Sequence, residues 1–228
     1  MQSCQNCPNA GKTAFCDLGC ESRAFLEANS IPMEYQRGNI LFREGDPCAA
    51  ILMVCSGRVK ISTTSREGRT LILRIASAGH VLGLGSALNE EEHEVTAEAM
   101  EPCHVRVLPM KRLQELMKNA DAGLSAARAM AADYRATFDE TRRIALSGTP
   151  AGRLARLILD WSAEARERDQ RSFVTMPLTH EELASMTATT RETVTRTLGR
   201  FRKEKLIQTR GVALTVLQPR ALEMLSAC

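Results

Sequence analysis

At 228 residues and 25.1 kDa the chain exceeds the usual size of one domain, and two modest domains with separate cores are expected. Its 44% hydrophobic and 25% charged residues exclude a disordered, collagen-like or low-complexity chain. No run approaches the roughly 20 apolar residues of a membrane span, and the start lacks an apolar signal core, so a cytoplasmic protein without a membrane partner is expected.

The first 20 residues hold four of the eight cysteines, Cys4, Cys7, Cys16 and Cys20. In a cytosolic chain such crowding points to metal or redox chemistry rather than to a disulfide framework. With two, eight and three residues between them, these four would by themselves complete a tetrahedral Cys₄ zinc site, and a thiol switch is the other reading. Cys48, Cys55 and Cys228 stand apart and read as small buried hydrophobes or inert thiols.

From Gly38 to Pro109, glycines at 38, 45, 57, 68, 79, 83 and 85 punctuate short β-rich runs: 40–42, 51–54, 58–63, 70–75 and 104–108. Regular turn signals of this kind predict a compact antiparallel barrel or sandwich. Val59 and Ile61 alternate with Lys60 and Ser62, which gives one buried and one wet face. His80 and His104 offer imidazoles that suit haem iron, against the plainer reading of turn and strand residues.

After Pro109 the composition turns to that of helices, with a short one at 110–118 and a long one from about 122 to 146. Met130, Tyr134, Phe138, Thr141 and Ala145 recur along the long helix at spacings of three and four. A small barrel does not easily cover a stripe that long, so the same helix of a second subunit is the expected partner. Asp139 and Glu140 lie late in this helix, on a solvated face or against that partner.

Ser147 to Pro150 predicts a hinge. A further amphipathic helix carries Leu154, Leu157, Ile158 and Trp161 on one side. Thr179 with Glu182 then forms a capping-box pattern, and Thr189 with Glu192 would open a second helix after a tight turn near 186–188. Two such helices with a basic second member predict a helix-turn-helix, and the β-rich runs around Gly211 predict the hairpin of its winged form.

Charge supports this division. Residues 1–150 carry 17 basic and 18 acidic groups, and residues 151–228 carry 13 and 9. Residues 189–210 alone hold seven basic groups against two acids, a surface suited to a polyanion. Arg191, Glu192, Thr195 and Arg196 lie within two turns near the start of the second helix, where base edges of the major groove are reached. Arg200, Arg202, Lys203 and Lys205 are placed to face phosphates. An enzyme, such as a thiol or cluster-dependent oxidoreductase, is the rival class. It lacks a Cys-x-x-Cys after a strand in a βαβ pattern, a glycine-rich phosphate fingerprint, and a grouped nucleophile, base and orienter.

The order of these parts resembles the CRP/FNR family of bacterial transcription regulators across nearly the whole chain. Arg191-Glu-Thr-Val-Thr-Arg196 resembles its recognition helix, followed by 198–207, and Gly38-x6-Gly45-Asp46 and Ser56-Gly57-Arg58-Val59 are similar to its barrel. The resemblance implies an α+β chain in four parts. These are a Cys-rich arm at 1–20, a β-roll (double-stranded β-helix, cupin-like) at 21–109, helices including a dimerisation helix at 110–147, and a winged helix-turn-helix at 148–228. It also implies a homodimer on double-stranded DNA with inverted half-sites, acting with RNA polymerase. By resemblance, Glu192 and Arg196 read a shared G·C pair, and Arg191 favours half-sites closer to TGTGA than to TTGAT.

Members of the family that take a cyclic nucleotide place an acid and an Arg-Ser pair after the segment matching Gly79. Leu84 and Glu94-Val95-Thr96 stand near those places, and acids there repel a phosphate, so no cyclic nucleotide is expected. Cys4-x-x-Cys7 followed by Cys16 resembles the arm of FNR-type sensors, with a second gap of eight residues where those have five. Cys103 matches the place of their fourth thiolate. A [4Fe–4S] cluster on Cys4, Cys7, Cys16 and Cys103, sensing oxygen, nitric oxide or redox state, is the implied cofactor, with Cys20 as alternative ligand and zinc as alternative metal.

Overall fold

A computed structural model describes residues 4, 7, 11, 13–146, 148–169, 174–175 and 178–226. The chain divides into two compact units, Met1–Thr137 and Phe138–Cys228. The division falls inside the long helix Ala120–Leu146; the hinge expected at Ser147 to Pro150 begins at a residue outside those described.

In the first unit the arm leads into helix α1 (Cys20–Asn29). Eight strands follow: β1 (Ile31–Tyr35), β2 (Ile40–Phe42), β3 (Ala50–Ser56), β4 (Arg58–Thr64), β5 (Thr70–Ser77), β6 (Val81–Leu82), β7 (Thr96–Ala99) and β8 (Cys103–Pro109), with helix α2 (Leu84–Asn89) between β6 and β7. They form two four-stranded sheets, ordered β1-β8-β3-β6 and β2-β7-β4-β5, whose pairings are antiparallel. All five predicted runs are strands, and β1, β6 and β7 are additions. β1 is an edge strand whose residues are almost all exposed, so it carries no alternation to read. α1 was also unread, because it buries only Ser22 and Leu26 and shows little periodic signal.

Successive side chains of a strand point to opposite faces, and both central strands use this fully. Leu52 and Val54 of β3, with Cys103 and Val105 of β8, join Val59, Ile61, Ala97 and Ala99 inside the roll. Ile51 and Met53 of β3 and Leu108 of β8 face the other way, into a second core with Phe15 and Leu18 of the arm and Leu26 of α1. Helices α3 (Met110–Leu116) and α4 (Ala120–Leu146) complete that core through Leu113, Leu116, Ala122, Ala126 and Ala129. The inward face of α4 is therefore built of small residues, which lets the arm lie close against it.

In the second unit, helix α5 (Pro150–Asp169) buries Leu154, Leu157 and Ile158, with Trp161 half-buried beside them. Helices α6 (His180–Met186) and α7 (Arg191–Lys203) pack on a core of Leu183, Val194, Leu198 and Phe201. Strand β9 (Val174–Thr175) joins the hairpin of β10 (Ile207–Arg210) and β11 (Ala213–Val216) in a sheet ordered β10-β11-β9, and helix α8 (Pro219–Ser226) ends the unit. No helix among the described residues is long and apolar enough to cross a membrane.

Candidate functional site

The arm is fastened to α4 on both sides of Cys16. Phe15, 1% exposed, donates its backbone N–H to Ser125 Oγ at 2.6 Å. Ser125 Oγ donates to Asp17 Oδ1 at 2.8 Å, and Arg128 holds Asp17 Oδ2 at 2.9 Å. Asp121 accepts from Ser22 Oγ at 2.7 Å and from the Gly19 N–H at 2.9 Å, which holds its carboxyl below the usual carboxylate range. Thr13 packs directly on Gly79, where an added Cβ would collide with the threonine side chain.

This fastening carries Cys4, Cys7 and Cys16 to one small cavity of about 30 Å³, lined also by Ala14, Phe15, Arg23, Leu26, Met53, Val54, Cys55, Gly79 and Arg106. Burial pushes the Cys4 and Cys16 thiols up, and pushes Cys55 up to about 11. As thiols they are neutral at physiological pH and coexist without repulsion. Two cations stand at the same walls. Arg106 donates to Ser30 Oγ at 3.0 Å and lies 3.9 Å from Glu27, whose Oε1 accepts from the Cys4 N–H at 3.3 Å. Arg23 donates from Nη2 to the Leu18 carbonyl at 2.7 Å, while its Nε is buried without a hydrogen-bond partner among the described residues.

Of the predicted ligands, the structure brings Cys4, Cys7 and Cys16 together and leaves Cys103 and Cys20 apart. Cys103 lies in phase with Val105, so its thiol points into the roll, 1% exposed, donating to the carbonyls of Glu101 (3.1 Å) and Arg58 (3.3 Å). Gly57 presses on that sulfur so closely that a Cβ there would come within 2.6 Å of it. Cys20 is the exposed first residue of α1 and does not line the cavity. Cys55, read from the sequence as a small buried hydrophobe or inert thiol, lines the same cavity. The run 51–54 is apolar on both faces and hides its parity, whereas Val105 and Val107 flanking Arg106 already assign Cys103 to the inner face. Cys48 is half-buried at the edge of the second core with its thiol toward the Ala50 and Gly83 carbonyls, and Cys228 lies outside the described residues.

Among the described residues no three His, Cys, Asp or Glu side chains stand close enough to share a single metal ion. Cys4, Cys7, Cys16 and Cys55 surround a space instead. Four thiols are the donor set that an iron–sulfur cluster takes, the two guanidinium groups offset the negative charge of such a set, and the orphaned Arg23 Nε–H is a donor in need of an acceptor. By donor chemistry the residues fit the group. The space itself is about one water wide, so filling it requires the arm to shift outward.

Elsewhere in the roll, Leu84 is buried and Glu94 is exposed. Thr96 Oγ1 accepts from the Glu44 N–H at 3.1 Å. His93, not singled out in the sequence, stacks on Phe42 with ring centroids 3.8 Å apart, and burial lowers its pKa. His80 Nδ1 lies 3.0 Å from the Ser77 carbonyl, and His104 lies 3.2 Å from Glu34.

In the second unit, Thr179 caps α6 with the full reciprocal box to Glu182. α7 is capped by Thr190 rather than by Thr189, through the Thr193 N–H at 3.3 Å. Ala188 takes φ +47°, so the turn runs one residue longer than expected. Arg191, Glu192, Thr195 and Arg196 share one exposed face of α7 opposite buried Val194, Thr197, Leu198 and Phe201. Thr195 Oγ1 donates to the Arg191 carbonyl at 2.9 Å and lies 2.7 Å from His180 Nδ1. Arg200, Arg202, Lys203 and Lys205 are exposed, with Arg200 over the Phe201 ring and 3.9 Å from Glu204. Three basic residues in the last turn also match the negative end of the helix dipole.

Along α4, Met130, Tyr134, Phe138 and Thr141 are exposed, Tyr134 at 74%, and Leu124 lengthens the stripe. The side chains of Ala145 and Glu140 lie outside those described, and Asp139 is exposed.

Comparison with known proteins bears on both units. Residues 32–120 match the cyclic nucleotide-binding domain and residues 152–225 the Crp-like helix-turn-helix domain. The chain is 27% identical over 184 residues to the anaerobic regulatory protein of Bacillus subtilis, covering 80% of this chain and 77% of that one. It is 28% identical over 195 residues to the fumarate and nitrate reduction regulatory protein of Yersinia pestis, covering 84% and 76%. The structure of FixK2 from Bradyrhizobium japonicum superposes with a TM-score of 0.75 at 21% identity, over 87% of this chain and 98% of that one. With a β-roll, a long helix and a winged helix-turn-helix in that order, the chain belongs to the CRP/FNR family of DNA-binding transcription regulators and is not an enzyme.

Proposed function

We propose that this regulator binds DNA under the control of a [4Fe–4S] cluster held in the first unit, and that it works in the cytoplasm as a homodimer with RNA polymerase. The observation that carries the reading is the gathering of Cys4, Cys7 and Cys16 at one cavity whose walls include Arg23 and Arg106. The names of two similar proteins, an anaerobic regulatory protein and a fumarate and nitrate reduction regulatory protein, support it. When bound, a cluster of this kind supplies a centre that oxygen, nitric oxide or a change of redox state can alter or destroy.

The chain's own residues supply the response. Cys16 sits between Phe15 and Asp17, and both neighbours are tied to Ser125 and Arg128 of α4. Any outward movement of Cys16 therefore pulls on the helix whose exposed stripe of Leu124, Met130, Tyr134 and Phe138 is offered to the second subunit. On DNA, Glu192 and Arg196 read a G·C pair, Arg191 directs the choice toward TGTGA-like half-sites, and Arg200, Arg202, Lys203 and Lys205 hold phosphates. Thr195, engaged with His180, orients the reading face. His93 and Phe42 stacked in the roll, with exposed Glu94 beside them, favour a sensor that takes no cyclic nucleotide.

The test is iron, acid-labile sulfide and zinc content with the visible spectrum, on protein purified without oxygen and again after air, with DNA retention measured in both states. About four iron and four sulfide per chain, bleaching in air together with a change in DNA affinity, is expected. One zinc and no colour would replace the cluster reading with a structural zinc site.

A further inference from the structure

We propose that Cys55 is the fourth thiolate of the cluster site, completing the set begun by Cys4, Cys7 and Cys16, and that Cys103 is a core residue of the roll. The proposal rests on the cluster reading and specifies its donor set.

Strand parity is the first argument. Ile51 and Met53 face the core that the arm covers, while Leu52 and Val54 face the interior of the roll. Cys55 continues the outward series and lines the cavity with the three arm cysteines. On β8 the alternation runs the other way, with Cys103 and Val105 inward and Arg106 and Leu108 toward the arm. Moving Cys103 to the cavity would require a one-residue slip that also turns Val105 out and Arg106 into the core.

Register is the second. Val54 pairs with Val105 and Ser56 with His104, so Cys55 is the extra residue of a β-bulge. Bulges re-aim a side chain at the cost of one ladder position, and they recur next to functional sites. Here the bulge lies on a central strand, where regular pairing would otherwise be kept.

The electrostatic setting is the third. Arg106 stands opposite Met53 on the neighbouring strand, and Arg23 reaches the same walls from α1 with its Nε unsatisfied among the described residues. Cys103, by contrast, already donates to two carbonyls and has Gly57 packed against its sulfur. One donor fixed in the sheet and three on the arm make a site that locks the arm to the roll when filled and loosens it when emptied.

The experiment compares wild-type protein with Cys55→Ala, Cys103→Ala and Cys20→Ala. Each is purified without oxygen and read by iron and sulfide content and by thermal melting. Cys55→Ala is expected to lose on the order of 10–100-fold in cluster affinity, the range that even supporting groups show, with melting of the cluster-free protein unchanged. Cys103→Ala and Cys20→Ala keep iron and sulfide. Retention of a full cluster by Cys55→Ala, or its loss from a folded Cys103→Ala, overturns the assignment while leaving the cluster reading intact. Wild-type protein without iron and sulfide overturns both. Should Cys103→Ala fail to fold, alkylation of the wild type decides the matter. Cys55 is expected to be protected in loaded protein and labelled once iron is chelated, with Cys103 unlabelled throughout; equal labelling of Cys55 in the two states counts against the proposal.

Discussion

The two units use opposite means to present functional side chains. On α7, Arg191, Glu192, Thr195 and Arg196 come from six consecutive residues, and one capped helix is enough to put them on a common face. At the thiol cavity, Cys4, Cys7, Cys16, Arg23, Cys55 and Arg106 come from the arm, a helix and two strands, and no single element brings any distant pair together. The difference teaches that the proposed DNA-reading face depends on local helix geometry, whereas the proposed thiol site depends on strand register and on how firmly the arm is docked.

The sharpest way to test that contrast is to remove one buried ring from each unit. Phe201→Ala and Phe15→Ala should each cost about 3–5 kcal/mol of local stability, because both rings are almost fully buried. The first should abolish DNA binding. The second should leave the roll folded but expose the arm to protease, and equal protection of the arm in Phe15→Ala would show that its docking does not depend on this ring.

Next in size are the base contacts. Glu192→Ala should lose about 1–3 kcal/mol of discrimination at one base pair, measured by binding to a panel of altered half-sites. Lys203→Ala should weaken all sequences alike and flatten the salt dependence by about 0.9 in log–log slope. A loss of selectivity in Lys203→Ala would move it from phosphate to base contact.

The caps come third. Thr179→Ala and Thr190→Ala should each cost about 1 kcal/mol by denaturant titration, with the larger loss at Thr179, where the box is reciprocal. An equal loss would show that the Glu182 half of the box contributes little.

The smallest effect is a pH dependence confined to the arm. The Asp121 carboxyl is held below its usual value by the Ser22 hydroxyl and the Gly19 N–H. Its contribution is therefore complete above the unfolded value of 3.8 and is lost as pH falls through the lower folded value. Asp121→Asn should flatten the decline of stability below about pH 4 in thermal melts, and an unchanged acid limb would remove this carboxylate from the fastening of the arm.

Much of the architecture was legible because it is written in local patterns. Glycine spacing marked the roll, the Thr179 and Glu182 pair marked the start of α6, and the loss of glycine after Pro109 marked the helices. Where the signal was weaker, the reading slipped: Thr189 and Thr190 are adjacent equivalents, and only the structure shows that Thr190 is the cap, its hydroxyl accepting from the Thr193 N–H. β1 and α1 were unreadable because one is exposed and the other buries two residues. In the candidate site, three arm cysteines were visible as a spacing. The resemblance pointed to Cys103 as the fourth thiol, whereas the structure places Cys103 inside the roll and Cys55 at the cavity, and the all-apolar run before Cys55 concealed which way that thiol faces.

The order of residues alone was sufficient for the β-rich first part, the helix-turn-helix and the thiol-rich arm, since each follows from composition or from periodicity within one element, and its motifs carried the resemblance to the family. Which thiols meet, and which helix the arm is fastened to, were decided by tertiary structure. Side-chain direction in a sheet alternates with every residue, so a single bulge between Val54 and Ser56 settles what a cysteine 35 residues beyond the arm can touch.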